Sequence, residues 1–325
     1  MERFPLLYLP TVAMGNALQC LDPFELIAFS HCSKRAFNLV RLSGSPRHRM
    51  SIDFSTRMVE YGKYRIYLWH RDDRRDYGNY TTCRYGEHVV PVIREQGRTT
   101  METFWPEPLD GMIHVAMLCA RVFACQISEL YAEMQHERFR NFIRFIMERQ
   151  TEMARLKITS NRLTQAFLKS IREKLNITEE LWLSGPVNIR YRVRDQEPKM
   201  IRFDHSPWFT LDQLLSTRCT RIALGNSRLD NEDLDVYIQK WKNGDYPNLV
   251  YLEVSGDSLN NQQAIDGHVP PFTGDSGRKS KLIGTYYSAT IINGVEVESN
   301  NGRSKAVMQI DLAGFQKQFS FLVYQ

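Results

Sequence analysis

The feature that most limits what this chain can become is a six-residue pattern, apolar-x-x-apolar-x-apolar, that returns five times. It occurs as Ile127-x-x-Leu130-x-Ala132, Met153-x-x-Leu156-x-Ile158, Thr178-x-x-Leu181-x-Leu183, Cys219-x-x-Ile222-x-Leu224 and Leu249-x-x-Leu252-x-Val254. The central positions, 130, 156, 181, 222 and 252, are 26, 25, 41 and 30 residues apart. Two apolar residues separated by one other share a face of an extended strand. Between these strands, Phe139, Phe142, Ile143, Ile146 and Met147 recur at helical spacing, as do Phe167, Leu168, Ile171 and Leu175, and later Leu234, Ile238 and Trp241. A unit of one strand and one helix cannot bury its apolar side alone, so stacked units are expected over about 112–256. The long gap holds a Pro-flanked stretch, Pro186 to Pro207, expected as an insert outside the strand series. A strand plus a helix at this period is the signature of a leucine-rich-repeat-like α/β horseshoe, against which stands an α/β domain whose strands fit the template by chance.

The two ends have a different character. Residues 4–42 read as three short helices: Pro10 opens the first, Asp22-Pro23-Phe24-Glu25 carries capping-box spacing for the second, and the third covers about Ser33 to Val40. Ser43-Gly44-Ser45-Pro46 is a linker signal, which divides the chain into 1–46 and 47–325. Residues 50–94 look β-rich, with Ile66 to Trp69 and Val89 to Ile93 as apolar runs. Thr210-Leu211-Asp212-Gln213 has capping-box spacing again. Strands around Asn300-Asn301-Gly302 and at Phe319 to Tyr324 are expected to close the end of the sheet over about 282–325. The fold expected is a small helical unit followed by a repeat-like α/β domain with β-rich ends.

Composition narrows the function classes. The net charge of +5 arises from 42 basic and 37 acidic residues that are scattered rather than set in one stripe, so no nucleic-acid partner is expected. The apolar run from Phe4 to Ala13 is interrupted by Pro5 and Pro10, and Met112 to Ala124 is short and contains His114 and Arg121, so neither a signal peptide nor a membrane partner is expected. Six cysteines without metal-ligand spacing suit a reducing compartment, cytoplasmic or nuclear. Gly274-Asp275-Ser276-Gly277 matches the surroundings of a protease nucleophile, but Arg278 follows where a further glycine belongs. His136-Glu137 lacks the second histidine one turn later that zinc would need. No dinucleotide or phosphate loop occurs. Neither catalysis nor a metal or cofactor is expected.

The N-terminal segment carries more apolar residues than three short helices can hide: Leu9, Val12, Ala17, Leu18, Leu21, Leu26, Ile27 and Phe29. Packing on the following domain would absorb them, and so would a docking face completed by a partner. Phe4-Pro5-Leu6-Leu7-x-Leu9-Pro10, Leu21-Asp22-Pro23-Phe24-Glu25-Leu26 and Ser30-x-Cys32-Ser33-Lys34-Arg35 resemble the F-box of the expanded nematode F-box family. Trp208 to Leu215 and Ile222 to Leu229, with Asp233-Leu234, Trp241 and Pro247-Asn248-Leu249, resemble that family's F-box-associated domain of the second type. The resemblance implies the substrate-recognition subunit of a Skp–cullin–F-box ubiquitin ligase, which binds a Skp-family adaptor and, through it, a cullin scaffold. Carried onto this chain, the adaptor contacts are Leu9, Pro10, Leu18, Leu21, Pro23 and Leu26, with Cys32 and Lys34 nearby. Thr11-Val12-Ala13 lacks the acidic residue that many F-boxes have after Leu-Pro, and Ala36 stands where many have tryptophan. The rival reading is a non-ligase interaction scaffold with a degenerate F-box.

For the protein substrate, residues between the apolar strand positions face away from the core. One column then reads Tyr131, Lys157, Trp182, Ala223 and Glu253, and the next Glu129, Arg155, Glu180, Arg221 and Tyr251. The alternating charges fit a stabilising cross-strand ladder as well as a binding surface. Trp182, with Tyr131 and Tyr251, is the expected aromatic anchor set, unless the insert after it covers the indole.

Overall fold

The first helices follow from their caps. In the computed structural model, which describes residues 8–43, 49–74, 79–94, 97–133, 137–160, 163–186, 196–272, 279–283, 288–292, 294–313 and 316–324, α1 (Thr11–Gln19) starts behind Pro10. That proline is the N-cap, with φ −56° and ψ 150°, a position where its missing N–H costs nothing. Before α2 (Pro23–Ser30) the Asp22 carboxylate accepts from the Phe24 and Glu25 amides, and Glu25 returns a bond to the Asp22 amide at 2.8 Å. The Ser33 hydroxyl accepts from the Ala36 amide and begins α3 (Lys34–Leu39). The linker predicted at 43–46 falls almost wholly outside the described residues, as do Gly274 to Gly277 and His136. These helices precede a large, mostly β region, and the chain divides into two compact units, Met1–Glu133 with Arg140–Met153, and Met134–Phe139 with Ala154–Gln325.

In the first unit the strands are β1 (Met50–Asp53), β2 (Met58–Tyr61), β3 (Tyr64–His70), β4 (Thr81–Tyr85), β5 (His88–Ile93) and β6 (Thr100–Trp105). Helix α4 (Pro108–Val122), strand β7 (Ile127–Glu133) and most of α5 (Glu137–Arg149) follow. The strand order is β7-β1-β2-β3-β6-β5-β4, with β1–β7 and β3–β6 parallel and the other pairs antiparallel. Tyr61 stacks on Phe123 at 4.5 Å, and Trp105 packs by Tyr85 under α4.

The N-terminal helices are fastened to this sheet. Phe24 meets Tyr64 edge-to-face at 5.5 Å, and the Arg94 guanidinium lies 4.8 Å from the Phe24 ring while it pairs with the Asp22 carboxylate. His31 sits against the Arg84 backbone, where burial lowers its pKa. Asp22 therefore caps α2 with one oxygen and anchors it with the other. Arg94→Ala is expected to remove about 2 kcal/mol of this attachment and to speed amide exchange over residues 11–40 by more than tenfold. Unchanged exchange would show that the attachment rests on apolar packing alone.

The second unit holds most of β8 (Glu152–Thr159), then α6 (Gln165–Lys174), β9 (Asn176–Ser184), β10 (Met200–Phe203), α7 (Leu211–Ser216), β11 (Arg221–Leu224), α8 (Asn231–Lys242) and β12 (Tyr251–Ser255). It ends with β13 (Lys279–Ile283), β14 (Ser288–Ile292), β15 (Val295–Glu298), β16 (Lys305–Asp311) and β17 (Gln318–Tyr324). Strands β9 to β12 run parallel; β17 pairs antiparallel with β12, and β16 and β15 continue outward. The stretch from 186 to 207 is not simply an insert. It contributes β10, which pairs on both sides, Leu181↔Ile201↔Ile222 and Trp182↔Arg202↔Ala223.

Beyond the strands the ladder goes on through serine amides: Ser160 donates to the Ser184 carbonyl, Ser206 to Gly225 and Ser227 to Ser255, each at 2.8–2.9 Å and each serine buried. Neighbouring backbones approach so closely that a Cβ on Gly185 or Gly256 would lie 2.2 Å from the Ser160 or Ser227 carbonyl oxygen. Side chains of Leu252, Ile222 and Ile201 are buried with Leu234, Ile238 and Trp241 of α8, whose indole meets Phe321 at 4.9 Å. Helix α8 itself starts at Asp230, which accepts from the Asp233 amide.

Candidate docking surfaces

At the N-terminal helices, burial separates the predicted contacts into two sets. Leu18 and Leu26 are 0% and 2% exposed and belong to the interior with Met14, Ile27, Ala36 and Val40. They correct the expectation that all six apolar positions offer surface, because three helices packed on each other and on a sheet consume their inner faces. Leu9, Leu21 and Pro23 are half-buried, and Pro10, Cys32 and Lys34 are exposed. Beside Leu9 and Pro10 stand Tyr8, 83% exposed, and Val12, 77% exposed. Large apolar side chains this open are the feature a partner would cover. Tyr8 had no distinguishing signal in sequence; Val12 was visible only as one of the surplus apolar residues.

The sheet of the second unit presents a different surface. Trp182 is half-buried, with the Lys157 ammonium 3.5 Å and the Arg202 guanidinium 4.2 Å from its ring centroid, one cation from each neighbouring strand. Its indole N–H donates to Asp204 Oδ2 at 2.9 Å, and Arg202 Nε donates to Asp204 Oδ1 at 3.1 Å. The cover over Trp182 is thus cationic, and includes a residue of the stretch read as an insert. Tyr251 is 1% exposed, packed with Ile291, Val307, Leu322 and Tyr324, and its hydroxyl donates to Glu253 at 2.8 Å. That overturns Tyr251 as a surface anchor: β14, β16 and β17 cover it, and they come from the last fifty residues of the chain. Tyr131 belongs to the first unit, half-buried, with its hydroxyl donating to Glu129 at 3.2 Å. Trp182 and Tyr251 share a face of the second unit's sheet by register, but only Trp182 is accessible.

Three of the cysteines are buried thiols, Cys119, Cys125 and Cys219. Burial pushes the Cys125 thiol up to about 11 and the Cys119 and Cys219 thiols further, which disfavours the thiolate. Among the described residues no three His, Cys, Asp or Glu side chains converge as metal ligands, and no helix is long and apolar enough to cross a membrane.

Residues 6–48 match the profile of the F-box domain, and residues 195–254 match that of the domain described as F-box associated. The chain carries an F-box domain and an F-box associated domain. It is also similar, at 27% identity over 129 residues, to the "Skn-1 dependent zygotic transcript 15 protein" of Caenorhabditis elegans, a match spanning 37% of this chain and 34% of that protein. The match therefore spans about a third of that curated relative's length. No solved structure matches. The F-box covers α1 to α3 and all eight predicted adaptor contacts. The F-box associated segment runs from the approach to β10 into β12. It includes Arg202, Asp204, Arg221 and Glu253 but stops short of Lys157 and Trp182.

Proposed function

We propose that this chain is the substrate-recognition subunit of a Skp–cullin–F-box ubiquitin ligase, working in the cytoplasm or nucleus. The observation that carries the reading is the order of the two domains in one chain, an F-box at 6–48 and an F-box associated domain at 195–254. The F-box would hold a Skp-family adaptor and, through it, a cullin scaffold; the C-terminal domain would hold a protein substrate. Such a subunit performs no bond chemistry. It raises the effective concentration of substrate lysines near a ubiquitin-charged enzyme. The repeated strand, buried serine and helix of residues 176–255 support reading the receptor part as leucine-rich-repeat-like.

Co-expression of the full chain with a Skp-family adaptor tests the proposal. A stoichiometric complex that also retains the cullin is the expected result. Failure to co-elute would favour the scaffold reading, for which the specific observations are Ala36, wholly buried where many F-boxes carry tryptophan, and the absence of an acidic residue at 11–13.

A further inference from the structure

We propose that the sheet face around Trp182 takes an acidic, extended segment of a partner protein. The inference rests on the reading that the C-terminal domain binds a protein substrate, and it names the chemistry of that substrate.

Strand register defines the face. One row runs Trp182, Arg202, Ala223, Glu253 and the row beside it Glu180, Met200, Arg221, Tyr251. Lys157 joins the first row through its contact with the indole, and alternation places Arg155 on the same face. Over β8 to β11 the face thus carries four cations, Arg155, Lys157, Arg202 and Arg221, against two carboxylates, Glu180 and Asp204. Asp204 is already committed to Arg202 and to the Trp182 N–H.

Two of the cations have capacity to spare. Among the described residues no carboxylate lies within ion-pair distance of Lys157, and no acceptor within hydrogen-bond distance of the Arg221 side chain. Both are half-buried. A cation on an aromatic face keeps its outward N–H donors, so Trp182 acts as a platform that holds Lys157 in place rather than as an apolar anchor. Beside Arg221 on β11 the floor is low: Ala223 is a short, buried side chain. Arg221 lies two strands from Trp182, roughly 10 Å across the sheet. That distance is spanned by about three extended residues. Glu253, held by the Tyr251 hydroxyl, closes the β12 side with a like charge, so the acidic segment lies over β8 to β11 and ends before it.

The test uses the full chain without adaptor, so that it stands or falls apart from ligase assembly. The probe is a fluorescent twelve-residue peptide alternating glutamate and serine, with a lysine–serine peptide as counterpart, read by anisotropy. The acidic peptide is expected to bind, the basic one not, and affinity is expected to fall steeply as salt shortens the screening length. Lys157→Gln with Arg221→Gln should weaken binding by about tenfold or more without lowering the melting temperature. Lys157→Glu with Arg221→Glu should reverse the preference toward the lysine peptide. Equal binding of both peptides, or acidic-peptide binding that survives both double variants, overturns the proposal. A chain that binds the acidic peptide but captures no adaptor would retain this site and lose the ligase reading; the opposite pair of results would do the reverse.

Discussion

Joint replacement of Leu9 and Pro10 by alanine is expected to cut capture of a Skp-family adaptor by about a hundredfold while the chain stays folded. Pro10 is exposed and Leu9 half-buried, and they stand between the open side chains of Tyr8 and Val12. Two anchor residues at roughly 1.5 kcal/mol each amount to about 3 kcal/mol, or two decades in affinity. The helix itself loses little, because Pro10 caps α1 with no side-chain hydrogen bond that alanine would break. Leu18 and Leu26 are the wrong positions for this test. Both lie in the interior, and alanine there would cost about 2–5 kcal/mol of stability and mimic a binding defect. Titrated pull-down with a parallel melting curve separates the two effects. Wild-type capture by the double variant would remove this end of α1 from the docking surface.

A large stability loss is expected at Gln150, which follows α5 and is 7% exposed. Its Oε1 accepts from the Ile127 amide at 2.9 Å, while its Nε2 donates to the Ile127 carbonyl and to the Glu152 carbonyl, both at 2.7 Å. One side chain therefore satisfies three backbone groups where β7 begins and β8 begins. Gln150→Leu keeps the volume and leaves all three groups without these partners, at a cost of about 4 kcal/mol. For a unit of this size that corresponds to a melting temperature lower by roughly 10 °C. Gln150→Glu keeps the acceptor but has no donor when ionised, so it should fall between leucine and wild type only at a pH where the protonated carboxyl supplies one donor. A change of less than about 2 °C for the leucine variant would mean that water or a local shift replaces the bonds.

Local periodicity made much of the fold legible. The strand–helix units at β9, α6, β11, α8 and β12 could be read from apolar spacing, and the starts of α2 and α7 from their capping boxes, because both signals act within a few residues. The match of 6–48 and 195–254 to F-box and F-box associated domains follows the same residues that carried the resemblance. Strand β10, Met-Ile-Arg-Phe, escaped because it lies inside the Pro-flanked stretch that reads as an insert. It is a strand because β9 and β11 offer it a ladder on each side.

Burial across non-adjacent elements was beyond the reach of any local rule. An alternating pattern says that Trp182 and Tyr251 point away from the apolar core face, and the register places both there. What meets them depends on other segments: Lys157 and Arg202 flank the indole, whereas β14, β16 and β17 close over the phenol. Likewise the apolar surplus of the first helices was plain in the sequence, but only the packing of α2 on the sheet through Phe24, Tyr64, Arg94 and Asp22 decided which residues are core and which remain for a partner. The sequence by itself thus determined which residues can form strands, helices and caps, since those preferences are carried by backbone and near-neighbour energetics. The tertiary structure alone decided which outward-facing side chains meet solvent, because that depends on chain segments far away in sequence arriving at the same place.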